Sequence, residues 1–189
     1  MITSTLQILA LANVADRSWH GELSAAQLAD RAYTITDLFV GQITYFDRET
    51  WVTYSSGSYR MPLIGHLFCL GEALTTTGSD SVGTFVNEWR IEVDVTPGGV
   101  ECTFPGAAAL HLDTGPFRLE VAGALASCLS LLKAAAGPRP LPVFLDEVQQ
   151  VVDRLLELDG DLAPQSPPKI YVDWDPVAGN HIRTNQPGP

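Results

Sequence analysis

The chain has 189 residues, 46% of them hydrophobic, and 22 acidic side chains against 11 basic ones leave a net charge of −11. Its apolar content excludes a disordered acidic tail, and its charge opposes direct contact with nucleic-acid phosphates or an anionic membrane. Cys69, Cys102 and Cys128 are odd in number, far apart and set in apolar runs, as expected of reduced thiols in the cytoplasm.

Leu6 to Ala15 fits a helix or a buried strand equally well. No basic residue precedes Arg17, so the basic start of a secretion signal is missing, and no apolar run approaches the roughly 18 residues of a membrane span. Leu23 to Tyr33 reads as a short helix that Ser24 can cap. The β-branched and aromatic residues of Thr34 to Phe46, followed by Trp51 to Tyr54, predict a hairpin near 36–54. Leu63, Leu67, Leu70 and Leu74 recur at helical spacing, so a helix is expected over 62–75 with Pro62 in its first turn. Thr76 to Gly83 is rich in Ser and Gly and reads as a loop.

Trp89, Ile91, Val93 and Val95 alternate with Arg90, Glu92 and Asp94, and Pro97-Gly98-Gly99 then turns the chain into Val100, Cys102 and Phe104. That alternation predicts a hairpin over 88–104 with one buried and one wet face. Leu110 and Leu112, then Phe117, Leu119 and Val121 across Asp113-Thr114-Gly115-Pro116, suggest another hairpin over 109–121. From Gly123 the period turns helical through Leu125, Cys128, Leu129 and Leu132, with Gly137-Pro138 as a stop near 136. Val143 to Leu158 is the clearest amphipathic helix, with Phe144, Val148, Val151, Val152 and Leu155 on one side.

A Pro-rich connector (APQSPP) leads to a strand-like KIYVDW and a polar tail expected to be disordered. These elements predict an α+β fold: a single antiparallel sheet covered by helices near 62–75, 123–136 and 143–158. The globular domain is expected over 1–162, with the connector, short strand and tail over 163–189.

Candidate chemistry is sparse. Ser81 stands where a nucleophile elbow would place its serine, but Ser79 replaces the first glycine that the strained turn needs. His66 and Cys69 lie one helical turn apart, yet His20, Cys102, His111 and Cys128 stand at no local metal-ligand spacing to complete a site. Asp173 and Asp175 follow a strand and point the same way, so they could hold a divalent cation with a nucleotide; exposed acids that blunt a strand edge are the plainer explanation. No phosphate loop, dinucleotide fingerprint, zinc-protease motif or calcium loop is present, and neither a cofactor nor a catalytic residue is expected.

The acidity is graded: residues 141–189 carry eight acids against three bases. Asp146, Glu147, Asp153 and Glu157 form the outer face of the last helix, and Tyr171, Asp173, Trp174 and Asp175 follow it. Aromatic anchors rimmed by carboxylates suit a basic protein surface, so these eight residues are the candidate partner-binding set. Solvation alone would also account for acids on a helix's wet face.

The small, acidic, α+β, motif-free profile is similar to the immunity proteins and antitoxins that occlude a basic toxin in bacteria, and to the acidic dimeric chaperones of secreted effectors. The similarity is one of composition and includes no alignable motif. It implies a non-catalytic inhibitor of a basic partner protein, with a secretion-type chaperone and a small metal-dependent enzyme using Asp173/Asp175 as the alternatives. A homodimer formed through exposed strand edges is a further expectation.

Overall fold

The computed structural model describes residues 6–11, 21–22, 40–47, 50–55, 63–84, 87–136, 144–159, 170–172 and 181–184. The fold is α+β. In chain order the described elements are β1 (Leu6–Leu11), β2 (Gly21–Glu22), β3 (Val40–Asp47), β4 (Thr50–Ser55), α1 (Leu63–Leu74), β5 (Gly78–Thr84), β6 (Asn87–Thr96), β7 (Gly99–Thr103), β8 (Leu110–Leu112), α2 (Thr114–Ala136), α3 (Phe144–Leu158), β9 (Ile170–Val172) and β10 (His181–Thr184).

The strands form two sheets, not the single sheet expected. One runs β10-β4-β3-β1-β9-β2 and the other β5-β6-β7-β8. The first is assembled from segments at both ends of the chain, and β1 pairs parallel to β9 through Ile8–Ile170, Leu9–Tyr171 and Ala10–Val172. Pairings of that sequence separation leave no mark in local periodicity. The expected hairpins near 36–54 and 88–104 are present as β3–β4 and β6–β7. The polar tail contributes β10, which pairs antiparallel with β4 from His181–Ser55 to Thr184–Val52. A strand with few apolar residues can form there because the neighbouring strand's backbone supplies its hydrogen bonds.

The hairpin expected over 109–121 does not form. Leu110–Leu112 is a strand paired with β7, and the helix begins at Thr114, so Phe117 and Val121 are a helical i, i+4 pair. Asp113 stands just before the helix, and its carbonyl accepts the Phe117 N–H at 3.1 Å. Pro116 falls in the first turn, where its missing N–H would have had no intrahelical partner. Phe117, Leu119, Glu120, Val121 and Ala122 are all buried, so this part of α2 lacks the wet face that would reveal a helical period.

One core joins both sheets to the helices. Its inner wall is Ile91, Val93, Val95, Val100, Cys102, Leu110 and Leu112 from the second sheet, with Phe104 just after β7. Tyr45 of β3 stands edge-on to Phe104 (ring centroids 5.1 Å apart) and to Phe117 (6.2 Å), linking the first sheet to the residue that follows β7 and to α2. Such aromatic pairs contribute about 1 kcal/mol beyond their burial. At the β6–β7 turn, Gly99 has φ +143°, and a Cβ there would sit 2.9 Å from the Leu112 carbonyl oxygen. Only glycine fits that approach.

Candidate functional site

The strongest candidate surface is built on α3. Leu145, Val148, Val151, Val152 and Leu155 are buried, and α3 packs against α1 and α2. The same 3.6-residue period puts Asp146, Glu147, Gln150, Asp153 and Glu157 on the exposed side. Asp146, Asp153 and Glu157 are spaced by seven and four residues, so they form one stripe about 16 Å long.

Folding explains part of this stripe. Asp146 and Glu147 lie in the first turn, where the helix dipole favours carboxylates. Asp153 accepts a hydrogen bond from Gln149 Nε2 at 3.0 Å, and Gln149 Oε1 accepts one from Lys133 Nζ at 3.3 Å. Arg154 Nη2 reaches Glu72 Oε1 of α1 at 3.6 Å. Glu157 is different. It lies in a last turn that carries no basic residue, where the dipole disfavours a carboxylate. Leu156 (44% exposed) and Leu158 (50%) flank it on either side of the acidic stripe. Among the described residues, no ion pair engages Asp146, Glu147 or Glu157.

Four of the eight candidate residues therefore share one face: Asp146, Glu147, Asp153 and Glu157. Tyr171 is placed elsewhere, in the middle of β9 between Leu9 of β1 and Glu22 of β2. Asp173, Trp174 and Asp175 lie outside the described residues.

A second acidic surface, not singled out from the sequence, lies on the outer face of the second sheet. Register places Asp94 opposite Glu101, and Glu101 opposite His111. His111 Nδ1 is 3.3 Å from Glu101 Oε2, and the His111 backbone N–H donates to Asp47 Oδ2 at 3.3 Å, tying β8 to β3. Glu92 is exposed one row further along β6, and Arg90 is exposed on the same side of the strand. The alternation of β6 already marked Glu92 and Asp94 as wet; their alignment with Glu101 and His111 depends on the pairing of three strands.

The remaining candidates occupy ordinary structural settings. Ser81 sits mid-strand in β5, paired with Glu92, and so is not on a strand-to-helix turn. The expected loop over 76–83 is a strand from Gly78, formed by pairing with β6 although Ser and Gly give it little intrinsic β preference. His66 is buried, with its Nε2 2.8 Å from the Tyr45 hydroxyl, which links α1 to β3. Cys69 is half-buried, and burial, with Glu72 and Asp80 nearby, raises its thiol pKa. Burial raises Cys102 and Cys128 to about 12, which leaves all three thiols poor nucleophiles at neutral pH. Among the described residues, no three His, Cys, Asp or Glu side chains are grouped to hold a metal, and no helix is long and apolar enough to cross a membrane.

No family model, no curated protein and no solved structure matches this chain.

Proposed function

We propose that this chain is a non-catalytic protein that binds a basic partner protein through the outer face of α3, acting by occlusion as an immunity protein or antitoxin does. The observation that carries the reading is the C-terminal half of α3, where Glu157 sits against the helix dipole between two exposed leucines. Folding alone gives no reason for that combination. A basic helix or groove laid over it would gain charge complementarity along the stripe and cover both leucines.

The test uses a helical, lysine-rich peptide of about 20 residues with leucines on one face, a length chosen to span α3. Affinity is expected to fall by about tenfold or more between 0.05 and 0.5 M NaCl as the charges are screened. Charge reversal at Asp146, Glu147, Asp153 and Glu157 together should abolish binding, and Leu156→Ala with Leu158→Ala should weaken it without altering its salt dependence. Salt-insensitive binding, or full binding by the reversed variant, would refute the assignment.

A further inference from the structure

We infer that the open edge of the second sheet, strand β5, takes up an extended segment of a basic protein as an added strand. The inference rests on the reading that the partner is basic but uses a different surface from α3.

Strand β5 ends its sheet. It pairs with β6 from Gly78–Val95 to Gly83–Arg90, and among the described residues no strand stands on its other side in the sheet order. An edge of this kind is a hydrogen-bonding template for an incoming extended chain. Gly78, Ser79 and Asp80 are exposed, and the register breaks between Gly83 and Thr84. The regular edge therefore spans positions 78–83, about 20 Å of strand.

The outer face beside this edge specifies the charge of the occupant. Ser79 pairs with Asp94, which pairs with Glu101, and Ser81 pairs with Glu92. Asp94 and Glu101 are like charges directly opposite each other, an arrangement that costs stability, and His111 contacts only the Glu101 side of the pair. A strand added beside β5 would place its outward side chains in the same cross-strand rows. Asp94 and Glu92 would then lie two strands away, about 10 Å, which lysine and arginine side chains can approach across short serine positions.

The alternate positions carry the exposed Asp80 and the buried Val82. Two β5 edges from two copies, paired antiparallel, would bring two acidic outer rows together, whereas the outward basic residues of an added segment meet complementary charge at Asp94 and Glu92. The preferred segment alternates basic with small apolar residues.

The full chain is mixed with an eight-residue peptide alternating lysine with valine, and amide hydrogen exchange is followed segment by segment. Exchange over 78–83 is expected to slow about tenfold at saturation. A peptide with its central amides N-methylated should leave exchange unchanged. Glu92→Lys with Asp94→Lys should weaken the unmodified peptide about tenfold, as should the milder Glu92→Gln with Asp94→Asn to a smaller degree. Charge reversal along α3 should leave this peptide's protection of 78–83 intact, which separates failure of the edge from failure of the α3 surface. The inference is overturned by protection confined to α3, by no protection over 78–83, or by equal binding of the N-methylated peptide. Protection of 78–83 that grows with protein concentration in the absence of peptide would assign the edge to a second copy and overturn it as well.

Discussion

Arg118 shows how much of this fold can depend on a single cation. Its Nε donates to the Leu74 carbonyl at 2.8 Å, and its Nη1 lies 3.6 Å from Asp159 Oδ2. Leu74 is the last residue of α1 and Asp159 directly follows α3, so one guanidinium serves the C-terminal ends of two helices. Both helix ends carry partial negative charge, and neither helix has a basic residue in its own last turn. Side chains of Arg118 and Asp159 are only 13% and 14% exposed, so solvent screens the contact weakly. Arg118→Ala is expected to lower stability by about 2 kcal/mol, read by urea denaturation. Arg118→Lys should recover less than half of that loss, because a single ammonium does not reproduce the fork that reaches both groups. A lysine variant as stable as the parent would show that charge alone, without the fork, is sufficient.

At the scale of elements, α1 and α3 approach each other closely at Gly71. A Cβ on Gly71 would stand 2.6 Å from Val151 Cγ1 and 3.3 Å from Leu125 Cδ1, so glycine sets the distance between these helices. Gly71→Ala is expected to cost about 2 kcal/mol by overpacking, and Val151→Ala about 1–2 kcal/mol by leaving a cavity. The double variant should be more stable than the sum of the two losses implies, by about 1 kcal/mol, because the new methyl fills the space that Val151 vacates. Strict additivity would mean that the helices shift apart freely and that Gly71 does not set their spacing.

This packing also indicates which features could be read from the sequence. α3 was legible because one of its faces is wet and the other buried, and its acids were legible with it; the 63–74 helix was legible from its leucine spacing. The start of α2 was not, since burial from Phe117 to Ala122 erases the contrast on which a helical period depends. Strand β5 was obscured for another reason: its glycines and serines carry no strand signal, and its structure comes from the β6 backbone. The Asp94–Glu101–His111 row likewise exists only once β6, β7 and β8 are in register.

On the scale of the whole molecule, the net charge of −11 is displayed on at least two faces, the outer side of α3 and the outer side of the second sheet. Among the described residues, the cations in ion pairs are Arg118, Arg154 and, when protonated, His111. Uncompensated acids repel one another in the compact state, so the surface that would attract a basic partner also strains the free protein. Stability and binding should then respond to salt with opposite signs. Raising NaCl from about 0.01 to 0.15 M shortens the screening length from about 30 to about 8 Å. The thermal midpoint is expected to rise by about 3 °C, equivalent to ~1 kcal/mol for a chain of this length. Over the same range the lysine-rich helical peptide should lose affinity for α3, because screening weakens the attraction as well as the repulsion. Charge reversal at Asp146, Asp153 and Glu157 should flatten both responses together, since the same carboxylates produce them. A midpoint that falls with salt would mean that the acids act mainly in internal ion pairs, and the case for α3 as a docking surface would lose its electrostatic basis.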